Sequence, residues 1–127
     1  MSLLDLSDWL SYFANDANSK YFADAIEGSE KLIVPSIILT EVFKIVFRQR
    51  GEDTALQTVA HIRQTKLITL DSALALDAAR YNIEFKLPPA DSIIYATAQR
   101  HKATIWTQDA GFDGLHGVRF FRKVNKA

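Results

Sequence analysis

Four carboxylates stand where a sheet of parallel strands would bring them together. Asp5 and Asp109 each follow a short aliphatic segment that is typical of a buried strand. Asp91 lies at the start of a helical segment, and Glu41 lies on an otherwise aliphatic helical face, where burying a carboxylate is costly. Ligand sites of parallel sheets form outside the carboxyl ends of the strands. We therefore expect these four side chains to converge at that edge.

A cluster of four carboxylates favours a bound cation. Two unit charges 4 Å apart repel by roughly 4 kcal/mol at an effective dielectric constant of about 20, while the net stability of a domain is only on the order of 5–15 kcal/mol. Carboxylate oxygens select Mg²⁺ or Mn²⁺, and the chain has no cysteine and no histidine cluster near these positions that would favour zinc. Pairs of such ions recur in enzymes that displace groups at phosphodiesters.

Each carboxylate also has an ordinary structural explanation. Asp5 and Asp109 are residue types that loops and helix caps favour, and Asp91 suits the first turn of a helix. Glu41 is spaced to pair with Lys44 or with the arginine one turn further on. Taken singly, each structural explanation outweighs the catalytic one. Only the shared position in the predicted sheet favours a site.

Strands and helices alternate along the chain. Aliphatic and β-branched segments predict strands near residues 3–6, 31–34, 66–70, 103–107 and 118–121. Apolar residues at helical spacing predict a helix with its N-cap at Ser7, followed by helices near residues 20–27, 36–49, 54–64, 72–81 and 90–101. Such alternation implies right-handed crossovers. The expected fold is an α/β/α sandwich with a central, mostly parallel sheet of four to five strands, forming one domain over residues 1–127.

Composition limits the other functional classes. Fifteen basic residues balance fifteen acidic ones, so a polyanion would have to be bound by a local patch. No apolar run reaches the roughly 20 residues that a membrane span needs, and the N-terminus lacks the pattern of a secretory signal. The absence of cysteine fits a reducing compartment. We expect a cytoplasmic protein without membrane association.

The segments that carry the four carboxylates resemble the four motifs of PIN-domain nucleases, and above all those of VapC-type toxins. These segments are residues 4–10 (LDLSDWL), 34–36 (VPS) with 40–42 (TEV), 87–98 (LPPADSIIYATA) and 105–112 (IWTQDAGF). The order and spacing agree over essentially the whole chain. Each motif alone is weak, but four in order are a strong signal, and the third is the most specific.

The resemblance implies a metal-dependent endoribonuclease that is the toxin of a VapBC-type toxin–antitoxin pair and hydrolyses RNA phosphodiester bonds. It implies Mg²⁺ or Mn²⁺ as the cofactor, an antitoxin protein as a partner and a homodimer. The implied catalytic residues and metal ligands, directly or through water, are Asp5, Glu41, Asp91 and Asp109. Ser7 and Thr107 would orient these carboxylates through hydrogen bonds.

Two positions depart from the family pattern. Leu6 stands where a threonine or serine is common, and Gly111 stands where many relatives carry a further acid. These departures leave open whether one metal or two are bound. They also keep open a catalytically inactive PIN-like binding module. Within the same fold, a stand-alone PIN ribonuclease of RNA processing is the other alternative to the toxin.

Two further sets of residues have two explanations each. Lys44 and Arg48 follow Glu41 on the same predicted helix and would guide an RNA backbone to the carboxylates, although a solvated helix flank explains them equally well. Seven aromatic residues crowd the first third of the chain, and they are Trp9, Tyr12, Phe13, Tyr21, Phe22, Phe43 and Phe47. By the resemblance, this region forms the dimer contact and the antitoxin groove. A core role for all seven is equally favoured.

Overall fold

All five predicted strands are present in the computed structural model, which describes residues 1–28 and 31–124. The strands are β1 (Ser2–Leu4), β2 (Leu32–Pro35), β3 (Lys66–Ile68), β4 (Thr104–Thr107) and β5 (Val118–Phe120). They pair in parallel in the order β3-β2-β1-β4-β5. The predicted parallel sheet is confirmed, and β1 lies at its centre.

Six helices surround the sheet, and their packing explains why strands β1 and β2 are buried throughout. They are α1 (Leu6–Ala14), α2 (Ser19–Glu27), α3 (Ser36–Arg50), α4 (Glu52–Ile62), α5 (Ser72–Phe85) and α6 (Pro89–His101). Helix α1 packs on α2 and α3, while α5 packs on α6, which also contacts β2 and β4. Strands β1 and β2 are buried along their whole length. Burial on both faces is the mark of a parallel sheet between two helical layers.

The start of α1 differs from the prediction. Asp5, not Ser7, is the N-cap, so the N-cap assignment to Ser7 is wrong. The Asp5 carboxylate accepts a hydrogen bond from the Asp8 backbone N–H at 3.2 Å, and the Asp8 carboxylate accepts one from the Asp5 N–H at 3.1 Å. Aspartate caps as well as serine does, and only Asp5 has a residue three positions later that can return the bond.

The helix boundaries on either side of Pro88 also differ from the prediction, for local reasons. Helix α5 continues one turn beyond residue 81 because nothing in that turn breaks a helix, and it ends where Lys86 adopts the left-handed conformation with φ 56°. Helix α6 then begins with Pro89 in its first turn, where the missing N–H of proline costs nothing. This start places Asp91 in the same turn.

The seven aromatic residues divide between core and surface. Trp9 and Phe22 are completely buried. Tyr12, Phe13 and Phe43 are partly buried and pack against the core. Only two of the seven are exposed, Tyr21 at 42% and Phe47 at 44%. The core explanation therefore accounts for five of the seven residues. Tyr21 and Phe47 are the two that are exposed enough to contact a partner protein. Within the described ranges, no helix is long and apolar enough to cross a bilayer.

Candidate active site

One cavity of about 330 Å³ is lined by Asp5, Glu41, Asp91 and Asp109. We call it the acid cavity, and it lies where the chain leaves β1 and β4, at the carboxyl edge of the sheet. The four carboxylates come from four different segments of the chain. The structure thus brings together the residues that the sequence singled out, and their role as ligands stays a prediction.

Asp5 is held on both carboxylate oxygens. The Ser7 hydroxyl donates to Oδ1 at 2.6 Å, beside the Asp8 N–H, and the Thr107 hydroxyl donates to Oδ2. Burial raises the pKa of Asp5, these hydrogen bonds lower it, and the charge of Asp109 adds a smaller increase. Ser7 and Thr107 therefore contact the carboxylate that they were expected to orient.

Asp91 and Asp109 are paired across the cavity. Burial raises the pKa of Asp91 to about 7, helped by the charge of Asp109 and by a hydrogen bond between the two side chains. Asp109 is itself fixed, because its Oδ1 accepts a hydrogen bond from the Gly111 N–H at 2.9 Å and so caps the 3₁₀ turn Ala110–Phe112. Near neutral pH, Asp91 is poised to hold or release a proton.

Glu41 reaches the cavity from α3 without a partner. Its Oε1 is buried and has no hydrogen-bond partner among the described residues. Burial raises the pKa of Glu41, and the charge of Asp5 raises it further. In the described part of the chain, no ion pair joins Glu41 to Lys44 or Arg48, which are both exposed. The structural explanation of Glu41 as half of a surface ion pair is therefore not realised.

The donor set of the acid cavity suits a hard divalent cation. It offers carboxylate oxygens from four segments, and the unpartnered Oε1 of Glu41 is the kind of atom that a cation would satisfy. However, no group of three or more carboxylate, histidine or cysteine side chains within residues 1–28 and 31–124 is already arranged to hold a metal. The oxygens of Asp5 face hydroxyl groups, and Asp91 faces Asp109. The four carboxylates share the cavity without meeting at one point.

Asp8 and Gln108 belong to the site but were not singled out from the sequence. Asp8 is fully buried beneath Asp5, one of its oxygens has no partner in the described structure, and burial raises its pKa to about 10. Gln108 donates from its backbone and its side chain to Ser7, both at 3.2 Å, and accepts from Asn18 at 2.9 Å. The three-residue spacing from Asp5 to Asp8 is a capping-box signal, whereas the Gln108 contacts have no local signal.

Lys123 is a third residue that sequence patterns did not indicate. It follows β5 and lines the acid cavity, which neither Lys44 nor Arg48 does. Its position depends on the path of the chain after the last strand, and no local pattern encodes that path. A cation at the site was therefore expected on α3, whereas the one that lines the acid cavity follows β5.

The two departures from the family pattern lie at this cavity. Leu6 is part of its wall. A Cβ atom at Gly111 would lie 3.2 Å from Oδ1 of Asp109, so any larger residue there requires the Asp109 carboxylate to shift. Gly111 thus lets Asp109 accept the hydrogen bond of the 3₁₀ turn.

Comparisons with known proteins agree with this fold. The family model described as "PIN domain" matches residues 2–117. No curated protein sequence matches the chain. A toxin–antitoxin complex from Klebsiella pneumoniae is similar with a TM-score of 0.82 and 22% identity, covering 97% of this chain and 100% of that one. VapC20 of Mycobacterium tuberculosis, described as a sarcin-ricin loop cleaving toxin, gives 0.77 and 16%, covering 93% and 97%. DNA-bound VapBC from Salmonella typhimurium gives 0.72 and 16%, covering 96% and 98%.

Proposed function

The chain belongs to the PIN domain family, and from that premise we propose that it is a metal-dependent endoribonuclease, the toxin of a VapBC-type toxin–antitoxin pair. The observation that carries the proposal is the acid cavity, in which carboxylates from four segments lie at the carboxyl edge of a parallel sheet. The similar structures support the toxin assignment, since they include a toxin–antitoxin complex and an RNA-cleaving toxin. RNA hydrolysis is the proposed reaction.

The residues of the acid cavity have distinct tasks in this proposal. Asp5, Glu41, Asp91 and Asp109 would hold Mg²⁺ or Mn²⁺, which when bound polarises a phosphate and lowers the pKa of water. Asp5 is kept in one orientation by the two hydroxyl groups that donate to it. Asp91 holds a proton or releases it near pH 7, so it becomes fully ionised when positive charge enters the cavity.

The proposed partners are an antitoxin protein and a second copy of the chain. Tyr21 on α2 and Phe47 on α3 are the two exposed aromatic residues in the region that the family resemblance assigns to these contacts. Exposed aromatic side chains are enriched at protein interfaces. The toxin–antitoxin complexes among the similar structures support an antitoxin. A cytoplasmic location stays a prediction.

A catalytically inactive PIN-like binding module is the second candidate. It is favoured by Gly111, which supplies no further acid, and by Asp5, whose two oxygens are already satisfied by hydroxyl groups. The unpartnered Oε1 of Glu41 and the raised pKa of Asp91 favour a bound cation, which the nuclease requires and the binding module also accommodates. A stand-alone PIN ribonuclease would share this site and differ only in having no antitoxin.

A cleavage assay separates these candidates. Partner-free protein is incubated with a panel of structured RNAs, including tRNAs, in Mg²⁺, Mn²⁺ or EDTA, beside an Asp5→Asn variant. We expect cutting that requires the metal and is absent in Asp5→Asn, and that persists in Asp113→Asn, a control at an exposed position. A folded protein that binds metal but cuts no RNA would favour the binding module. Co-purification with a small protein encoded beside it would favour the toxin over the stand-alone ribonuclease.

A further inference from the structure

Lys123 stands between the acid cavity and a second, larger cavity. The second cavity has a volume of about 560 Å³ and runs along α1, and we call it the α1 groove. Lys123 lines both cavities, together with Leu6, Ser7 and Gln108. The two cavities are therefore neighbours with a shared wall, and that wall includes a cation.

The backbone around Lys123 is fixed by the same framework that holds the acid cavity. The Phe121 N–H donates to the Thr107 carbonyl at 2.8 Å, and the Asn18 side chain donates to the Arg122 carbonyl at 3.0 Å. Asn18 is only 5% exposed and also donates to Gln108. Lys123 thus follows two anchored residues directly.

The charge of Lys123 is available to an anion. It is the one lysine or arginine that lines the acid cavity within the described ranges, and it forms no ion pair with a carboxylate there. The whole chain has no net charge, so attraction of a polyanion depends on local cations of this kind. The ammonium group of Lys123 lines the same cavity as the carboxylates but does not pair with them. It is therefore free to bind a phosphate that contacts both cavities.

The walls of the α1 groove suit a nucleoside next to that phosphate. Its apolar part includes Leu6, Leu10 and Ala14, and its polar part includes Ser11, Asp16 and Asn18. The Asp16 carboxylate accepts hydrogen bonds from the Ser11 hydroxyl and from the Asn18 N–H at 3.0 Å, so it is already engaged by α1 and by the turn that follows. Apolar surface beside polar atoms fits the face of a base and its sugar.

We propose that Lys123 binds the RNA phosphate next to the scissile one and that the α1 groove holds the attached nucleotide. The proposal rests on the proposed ribonuclease function and adds the direction in which the strand leaves the acid cavity. Lys123 acts here as a substrate-binding residue, in place of Lys44 and Arg48 on α3.

The test compares Lys123→Ala, Lys123→Arg and Lys66→Ala. Lys66 is the first residue of β3, so it lies at the amino ends of the strands, whereas the acid cavity lies at their carboxyl ends. Lys66→Ala therefore removes one exposed lysine far from the site and serves as the matched control. Cleavage kinetics are measured in the native background. Binding of a labelled single-stranded RNA in Mg²⁺ is measured in the Asp109→Asn background over a range of salt concentrations. For Lys123→Ala we expect KM and Kd to rise roughly five-fold and the salt slope to fall by about 0.7, the value for one contact to a single strand.

The outcomes separate this proposal from the function on which it rests. Recovery of KM in Lys123→Arg, with Lys66→Ala unchanged, supports the phosphate contact. A loss confined to kcat, or a shifted pH profile at unchanged KM, overturns it, because Lys123 then acts only through the carboxylates. Equal RNA binding with and without Lys123 overturns it while leaving the nuclease intact. Failure of the Asp109→Asn protein to bind any RNA, together with no cleavage by the native chain, overturns both.

Discussion

Four carboxylates in or directly beneath the acid cavity are individually costly to the fold. Asp5, Asp8, Glu41 and Asp91 all have raised pKa values, and burial is the largest cause in each case. A shift in this direction means that folding works against the ionised form. A residue kept for stability alone would show the opposite shift, as Asp71 does where it caps α5 and contacts Arg100. The site is therefore built at the expense of stability, which is common at functional sites.

Removing the charge of Asp91 or Asp109 should affect cleavage and stability differently. Asp91→Asn and Asp109→Asn should each abolish cleavage and leave the metal-free protein as stable as the native chain, or more so. Asparagine keeps the acceptor that caps the 3₁₀ turn and removes the repulsion. Urea denaturation in EDTA checks this, with Asp113→Asn as the control. A loss of several kcal/mol in both variants would identify the two residues as structural caps instead.

The pH dependence of stability follows from Asp8 and Asp91. A carboxyl whose folded pKa lies above its unfolded value of 3.8 binds more protons in the native state, so the free energy of unfolding falls as pH rises through that window. The window ends at about 7 for Asp91 and at about 10 for Asp8. We expect the metal-free protein to melt at a lower temperature at pH 9 than at pH 5.

A variant at Asp8 isolates its share of this effect. Asp8→Asn keeps an oxygen to accept from the Asp5 N–H but has no group to ionise. Its melting temperature should therefore fall less between pH 5 and pH 9 than that of the native chain. Asp113→Asn should follow the native chain over the same range. Identical curves for all three proteins would mean that Asp8 is ionised in the folded as well as the unfolded state over this range, so that burial does not raise its pKa.

At the scale of elements, the short connection from β1 to α1 combines two tasks in one residue. Asp5 is the single residue between the central strand β1 and helix α1. It caps α1 and also presents its carboxylate to the acid cavity. Thr107, at the end of β4, donates to the same carboxylate and so joins the two neighbouring strands through it. The fold and the site therefore share this residue, and its variants affect both.

Two substitutions at Asp5 distinguish these tasks. Asp5→Asn should remove cleavage and preserve the helix cap, because asparagine is an equally good N-cap. Asp5→Ala should remove cleavage and also lower the free energy of unfolding by about 1 kcal/mol or more relative to Asp5→Asn, since the N–H of Asp8 and the Thr107 hydroxyl lose an acceptor. Chemical denaturation of the metal-free proteins measures the difference. Equal stability of the two variants would mean that the Asp5 cap does not contribute to the free energy of unfolding.

The sequence predicts what depends on neighbouring residues and misses what depends on distant ones. The positions of strands and helices follow from periodicity, and the carboxylates at strand ends follow from the parallel sheet. The N-cap was misplaced at Ser7 because two strong capping residues stand two positions apart, and the choice of Asp5 depends on Asp8 reaching back. Lys123 and Gln108 were missed because their place at the cavity depends on contacts with Asn18, about a hundred residues away.

At the scale of the whole molecule, two different apolar surfaces compete for a partner. One candidate comprises the exposed aromatic residues Tyr21 on α2 and Phe47 on α3, which belong to the region where the family resemblance places the dimer contact. The other is α5, where Leu76 is 63% exposed and Ile83 is 77% exposed. Side chains of this size stabilise an interface by roughly 1.5–3 kcal/mol each when fully buried. Removing one from the true contact surface therefore has a measurable effect on association.

The mass of the chain in solution decides between these surfaces. We expect the purified protein to have a mass close to twice 14.3 kDa by light scattering. Phe47→Ser should shift it toward the monomer, because an exposed aromatic side chain at the contact is replaced by one that gains little from burial. Ile83→Ser is the matched control and should leave the dimer intact. Dissociation by Ile83→Ser alone would place the contact on α5 and leave Tyr21 and Phe47 free for the antitoxin.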